Sequence, residues 1–324
     1  MKRQAWCILV VVALSVFAWS AVEAGTVIRI ASSFDPKHTT CLAGDVFKKL
    51  VEERSQGAIQ VQTFWGAVMG SEEELTESVS TGGVEMQVGG GIPIKVYAPQ
   101  YQFMNDPFIM RDWNHWKKVW DAKVGNDLKD AVERKGRTRY VEVMYLGVRQ
   151  FTSNKPIQTP KDVQGLKLRL PNLPTWVKVW KEIGALPVPI ALNELFTSLQ
   201  TGVADASEGM VSQIQSFRLN EVQKYLSLTS HGIQSGAFTI SRDFFNKLDK
   251  KSQDLVMQAG RDAAEWATKT TIDGESSVIA DLEKKGMKLV KSDQKAFFEK
   301  AKPAVDKLFE TDYPVTTWKE ILSY

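Results

Sequence analysis

The sequence predicts an α/β fold built on largely parallel sheets and divided into two lobes. Three observations carry that expectation. Short strand-like runs alternate with helical stretches of ten or more residues from Thr26 onward, which is the pattern of α/β units. No internal repeat or low-complexity segment interrupts the alternation. From Lys250 to Lys285 a proline-free stretch repeats apolar residues at helical spacing, and at ~1.5 Å per residue it spans about 54 Å, further than one small domain is wide. Its apolar positions are too irregular and too Ala/Thr-rich for a sustained heptad seam, so this helix is expected to cross both lobes.

The elements follow in order. Lys2 and Arg3 precede an apolar run from Ile8 to Ala18 and the small-residue ending AVEAG; together they read as a secretory signal peptide, residues 1–24, cleaved after Ala24. The run is too short for a transmembrane helix, which needs roughly 20 apolar residues. TVIRIASSF then forms a strand, a helix runs from Thr40 to Ser55 and ends at Gly57, and AIQVQTFW alternates as a second strand. Ser71 and Glu74 make a capping-box pattern ahead of a short helix. VEMQV is a third strand that breaks into the glycine loop Gly89–Gly91. WNHWKKVW, Trp113 to Trp120, spaces its aromatics along one face of an amphipathic helix packed on the core. RYVEVMYL, GLKLRL, TWVKVWKEIG and ELFTSLQTG continue the alternation. Asp249 is placed to cap the long helix and Gly286 to end it, with a bend or break at Gly274 as the alternative.

Composition narrows the function classes. Beyond residue 24 there are 39 basic and 37 acidic side chains, a net charge of +2, with no concentrated basic stripe of the kind nucleic-acid binders carry. Cys7 falls in the signal segment, so Cys41 stands alone and no disulfide can form within the remaining chain. His38, His115 and His231 are scattered, without a pair at metal-ligand spacing. There is no G-x-S-x-G elbow and no P-loop. No metal and no cofactor are expected.

Two arginines stand out. Arg149 lies in VEVMYLGVRQFTS and Arg169 in KDVQGLKLRL, which returns as a strand after the turn NKPIQTP. Both sit at or near strand ends, where open α/β sheets place their ligand crevices. Pro171 and Pro174 stop the strand directly after Arg169 and hold its exit. A guanidinium fixed in this way matches a carboxylate bidentately. The alternative is that each arginine pairs with an internal Asp or Glu.

The pattern G-x-R, T-S-N-K-x-I, D-x-x-G-L-K-x-R-x-P-N resembles the signature of the solute-binding proteins of tripartite ATP-independent periplasmic (TRAP) transporters, the DctP family. FKKLVEERSQGAIQVQTF, NELFTSLQTGVAD and NEVQKYLSLTSH fall in that family's order, so the resemblance covers nearly all of the chain after residue 24. It implies a periplasmic, monomeric binding protein whose two lobes close on a small organic anion and hand it to the small and large membrane permease subunits. It places residues 25–147 with about 236–274 in one lobe, and 148–235 with about 275–324 in the other. Arg169 is implied to grip the ligand's carboxylate, with Arg149 assisting from the adjoining strand and Asn172 closing the motif. Many relatives carry a ligand-contacting Asn where this chain has Gly209, preceded by Glu208. Relatives that bind sialic acid use charged side chains where this chain has Gly89–Pro93. These departures, with a Glu208 that in the cleft would repel a second carboxylate and accept from hydroxyls, tilt the expectation towards a hydroxylated monoacid. C4-dicarboxylates, sugar acids and small sulfonates such as isethionate all stay in range. Trp65 could wall the cleft or pack in the core. His38, after the first strand, is a ligand contact or a solvated loop residue.

Two function classes follow. One is a binding module delivering an organic anion to a transporter. The other is a secreted α/β enzyme acting on such an anion, with Glu208 or His38 as general base. Arginine clamps without a recognisable acid–base set favour binding.

Overall fold

Nine strands form one mixed sheet in this computed structural model, which describes residues 25–324; the signal-peptide expectation lies outside the described residues. The strands are β1 (Thr26–Ala31), β2 (Ile59–Phe64), β3 (Met86–Gly89), β4 (Thr138–Ser153), β5 (Lys167–Leu170), β6 (Leu186–Pro189), β7 (Ala206–Met210), β8 (Tyr225–Ser241) and β9 (Lys288–Lys291). Their order is β2-β1-β3-β8-β4-β7-β5-β6, with β9 beside β8.

Parallel pairing holds in the flanks, where β1 joins β2 and β3, β5 joins β6 and β7, and β9 joins β8. It fails at the centre. β4 and β8, of 16 and 17 residues, pair antiparallel with each other, and antiparallel with β7 and β3 respectively. Strand direction depends on non-local partners, which a local pattern does not reveal. β3 pairs with residues 237–240 at one end of β8; β9 pairs with residues 225–228 at the other, beside the β4 residues 149–153 that hold β7. The two ends of one crossing pair therefore carry two groups of strands, the two lobes. A second correction concerns β5, which does not lie beside β4, because β7 stands between them.

The helix Lys250–Lys284 is unbroken. Asp249 caps it by accepting the Ser252 N–H at 2.8 Å, and Gly286, at φ +98°, follows its end. The helix runs through Gly274 without a break, and a side chain there would meet open space. The first half sends Val256, Ala259 and Ala263 into a core with Ile28, Phe47 and Phe238. Leu282, near the other end, packs with Leu195, Ile214 and Leu226 in a separate core. One helix thus buries apolar surface in both lobes, as its length predicts. Its small residues allow close approach to the sheet, since a Cβ on Gly260 would stand 2.3 Å from Val141 Cγ1. Thr268 and Glu275, two turns apart, accept the backbone N–H groups of Tyr145 and Val148 at 3.0 and 3.1 Å. They flank the point where β4 slips register against β8 and Gly147 adopts φ +118°.

The local signals read correctly elsewhere. Ser71 and Glu74 close a capping box on the helix Glu72–Thr81. Trp113, Trp116 and Trp120 stack in sequence, 4.9 and 5.1 Å between centroids, against the largest core. Cys41 is a buried free thiol, its pKa pushed up to about 12 by burial.

Candidate ligand-binding site

A cavity of about 60 Å³ opens where the lobes face each other. One side brings Phe34 and Glu72, with Gly90, Gly91 and Asn105 following β3; the other brings Arg169, Trp176, Met210 and Gln213. Arg149 and Gln234 reach it from the crossing strands. The two arginines therefore share one cavity, although β7 separates their strands.

Their partners differ. Arg149 pairs across to Met210 on β7, two residues from Glu208, so alternation along β7 puts Glu208 on the same face. The result is a bidentate ion pair, with Nη2 2.8 Å from Glu208 Oε1 and Nε on Oε2. Arg149 Nη1 donates to Gln234 Oε1, and the Trp176 ring covers the guanidinium at 4.6 Å. His231 Nε2 lies 3.1 Å from Glu208 Oε2, and because a carboxylate only accepts, this nitrogen carries the proton. His231 Nδ1 meets the Thr229 hydroxyl at 2.8 Å. Burial works to raise the Glu208 pKa, but the Arg149 charge and the His231 hydrogen bond outweigh it and hold the carboxyl at about 2. Burial also lowers the His231 pKa, which leaves a neutral imidazole at neutral pH.

Arg169 has no such partner. It is 2% exposed, and its Nε and Nη2 donate to the Ile190 carbonyl at 3.0 and 2.7 Å. Among the described residues it forms no salt bridge; the buried ion pairs belong to Glu208. Burial, then the like charge of Arg149, prevail over the pull of the nearby glutamates and bring its pKa down to about 10. It stays protonated at neutral pH. A buried cation without a counter-ion is unfavourable, so the cavity holds one positive charge that calls for an anion.

Glu72, half-buried at the start of its helix, accepts the Gly90 N–H at 2.6 Å. Burial, against that hydrogen bond, pushes its carboxyl up to about 7. The glycine loop exists to admit these side chains. A Cβ on Gly90 would stand 3.0 Å from Glu72 Oε1, and one on Gly91 only 2.1 Å from Asn105 Nδ2.

Five expected contacts are placed otherwise. Glu208 is 1% exposed and turned onto Arg149 and His231, so it reaches the cavity only through Arg149. Gly209 does not line the cavity. Asn172 is exposed beyond Pro171, where the chain leaves the strand. Trp65 lies over Gly44 and donates to Asp45 Oδ1 at 3.1 Å, packing on the core beneath. His38 is neither solvated nor in the cavity: it caps the helix Thr39–Arg54, its Nδ1 accepting the Thr40 N–H, and stacks on Phe34 at 4.6 Å. Burial lowers its pKa to about 3. Neither His38 nor Glu208 is thus placed as a general base. Glu72, Asn105, Trp176, Gln213 and Gln234 line the cavity without having been singled out. The glycine run was the available sign of two of them, since consecutive glycines mark close approach of other groups to the backbone.

Residues 30–312 match the family described as bacterial extracellular solute-binding protein, family 7. A solute-binding protein of Verminephrobacter eiseniae is 31% identical over 305 residues, covering 94% of this chain and 91% of that protein. A TRAP periplasmic solute-binding protein of Roseobacter denitrificans, solved with bound L-galactonate, gives a TM-score of 0.85 at 29% identity over 92% of this chain and 98% of that one. One from a Polaromonas species, solved bound to D-erythronate, gives 0.85 at 28% identity over 92% and 97%.

Proposed function

The chain belongs to family 7 of the bacterial extracellular solute-binding proteins, and from that premise we propose that it captures a hydroxylated monocarboxylate, of the sugar-acid class, for a TRAP permease. The observation that carries this reading is the charge count of the cavity. Glu208 neutralises Arg149, and Glu72, its carboxyl pushed up to about 7, is at most partly ionised. This leaves Arg169, among the described residues, as the cation of the cavity without a paired carboxylate, and suits one acid group. A C4-dicarboxylate brings a second charge, for which no further cation lines the cavity among the described residues. Glu72, Asn105 and Gln213 offer donors and acceptors that suit several hydroxyl groups, where isethionate brings one. L-galactonate and D-erythronate, held by two relatives, are acids of this class. On this reading the protein acts as a monomeric periplasmic carrier, binds without turnover, and passes its ligand to the permease's small and large subunits.

A thermal-shift panel of sugar acids, C4-dicarboxylates, small sulfonates and neutral polyols tests the reading. At 100 Kd a ligand adds about 2.7 kcal/mol of stability, and the sugar acids are expected to give the largest shifts. Larger shifts from dicarboxylates, or from neutral polyols, overturn it.

A further inference from the structure

We infer that Gln213 is a specificity-determining residue that reads a ligand hydroxyl, and that Gly209 is a glycine so that the Gln213 amide can stand in the cavity. The inference rests on the sugar-acid reading above and assigns one of its contacts.

Gly209 is not explained by its backbone. It belongs to β7 and is absent from the positive-φ residues, so any side chain could adopt its conformation. Space explains it. A Cβ on Gly209 would lie 2.8 Å from Gln213 Nε2 and 3.1 Å from its Cδ. The Gln213 amide therefore fills the volume that a larger residue at 209 would claim. The two stand four positions apart, across the junction between β7 and the short helix Val211–Ser216.

The amide itself is out of balance with its surroundings. Gln213 is 3% exposed and lines the cavity, yet its Nε2 has no hydrogen-bond partner among the described residues. A buried donor without an acceptor is destabilising, and such groups in native proteins call for an explanation. A ligand in the cavity supplies one. A hydroxyl suits a carboxamide best, because it accepts from the amide N–H₂ and donates to the amide oxygen; a carboxylate engages only the N–H₂ side. Asn105 Nδ2, from the opposite lobe, is also unpartnered and lines the same cavity. Two unsatisfied amides from opposite lobes around one unmatched guanidinium describe an occupant with one acid group and several hydroxyls.

The test uses the full exported chain with L-galactonate and D-erythronate, each beside its deoxy analogues. Wild type should prefer the hydroxylated acids. Gln213→Leu should lose roughly 3- to 10-fold in affinity for the hydroxylated acid it binds best, and should narrow the preference over the deoxy analogue lacking the hydroxyl that Gln213 meets. Its unfolding midpoint without ligand should not fall, because an unsatisfied donor is removed; this separates a ligand contact from a structural residue. Gly209→Asn should fail to bind, whereas Gly209→Asn with Gln213→Ala, which clears the space, should regain affinity. Unchanged affinity and discrimination in Gln213→Leu, with wild type binding the acids, overturns the assignment alone. If wild type binds neither the acids nor their analogues, the sugar-acid reading fails and this inference fails with it.

Discussion

Glu208 holds Arg149 through both carboxylate oxygens, so the residue nearest in type to a ligand clamp is already occupied from within. Its partner is the protein. Replacing Arg149 with Met should leave Glu208 buried and uncompensated and cost about 3–5 kcal/mol of stability. The double change Arg149→Met with Glu208→Leu should recover most of that loss. Denaturant midpoints check both, and equal stability of the single and double variants contradicts the pairing.

Glu72 makes stability depend on pH. Its folded pKa of about 7 stands above the ordinary 4.5, as that of buried Asp106, about 7, stands above 3.8. Between those values the folded chain keeps protons at these carboxyls that the unfolded chain has released, so each contributes a fall in stability as pH rises to about 7. Buried His38 and His231 oppose it, their lowered pKa values contributing a rise up to the ordinary 6.5. Glu72→Gln should remove its share, so that stability without ligand falls less, or rises more, across this range than in wild type, as unfolding midpoints will show. A slope unchanged by the substitution contradicts the role given to Glu72.

Ligand binding should be visible in tryptophan emission through Trp176, which lines the cavity and covers Arg149. Of the 10 tryptophans in the sequence, Trp65 packs outside the cavity. The ligand-induced change should survive Trp65→Phe and largely vanish in Trp176→Phe, a comparison of two titrations. The reverse pattern would return Trp65 to the cleft.

Much of the fold was legible because its signals are local. The capping box at Ser71, the Trp113–Trp120 face and the cap of the long helix depend on residues a turn or less apart. The antiparallel crossing of β4 and β8 was not, because pairing between distant segments leaves no mark on either one. The site divides in the same way. Pro171 and Pro174 made Arg169 stand out, but the claim of Glu208 on Arg149 spans 59 residues of sequence. Glu72 was hidden in an acidic helix start, where a capping role accounts for such residues equally well. In sequence Gly209 signals only a lost amide, whereas in the fold the Gln213 amide stands in the space it leaves.

Lobe closure should pivot near Gly147, where β4 slips register and the long helix lends Thr268 and Glu275 to its backbone. Gly147 sits at φ +118°, a conformation that costs other residues about 1 kcal/mol or more. Gly147→Ala should therefore lower stability by that amount and weaken binding, and X-ray scattering should show a smaller ligand-induced decrease in radius of gyration than in wild type. An identical decrease argues against a pivot here.

The central claim is that Arg169, the buried guanidinium without an internal carboxylate, grips the ligand's acid group. Calorimetric titration of wild type and Arg169→Lys with the sugar acid that stabilises wild type most tests it directly. Lysine keeps the charge and loses the planar fork, so affinity should fall by ~10-fold or more, about 1.4 kcal/mol. Equal affinity in the two proteins would contradict the account.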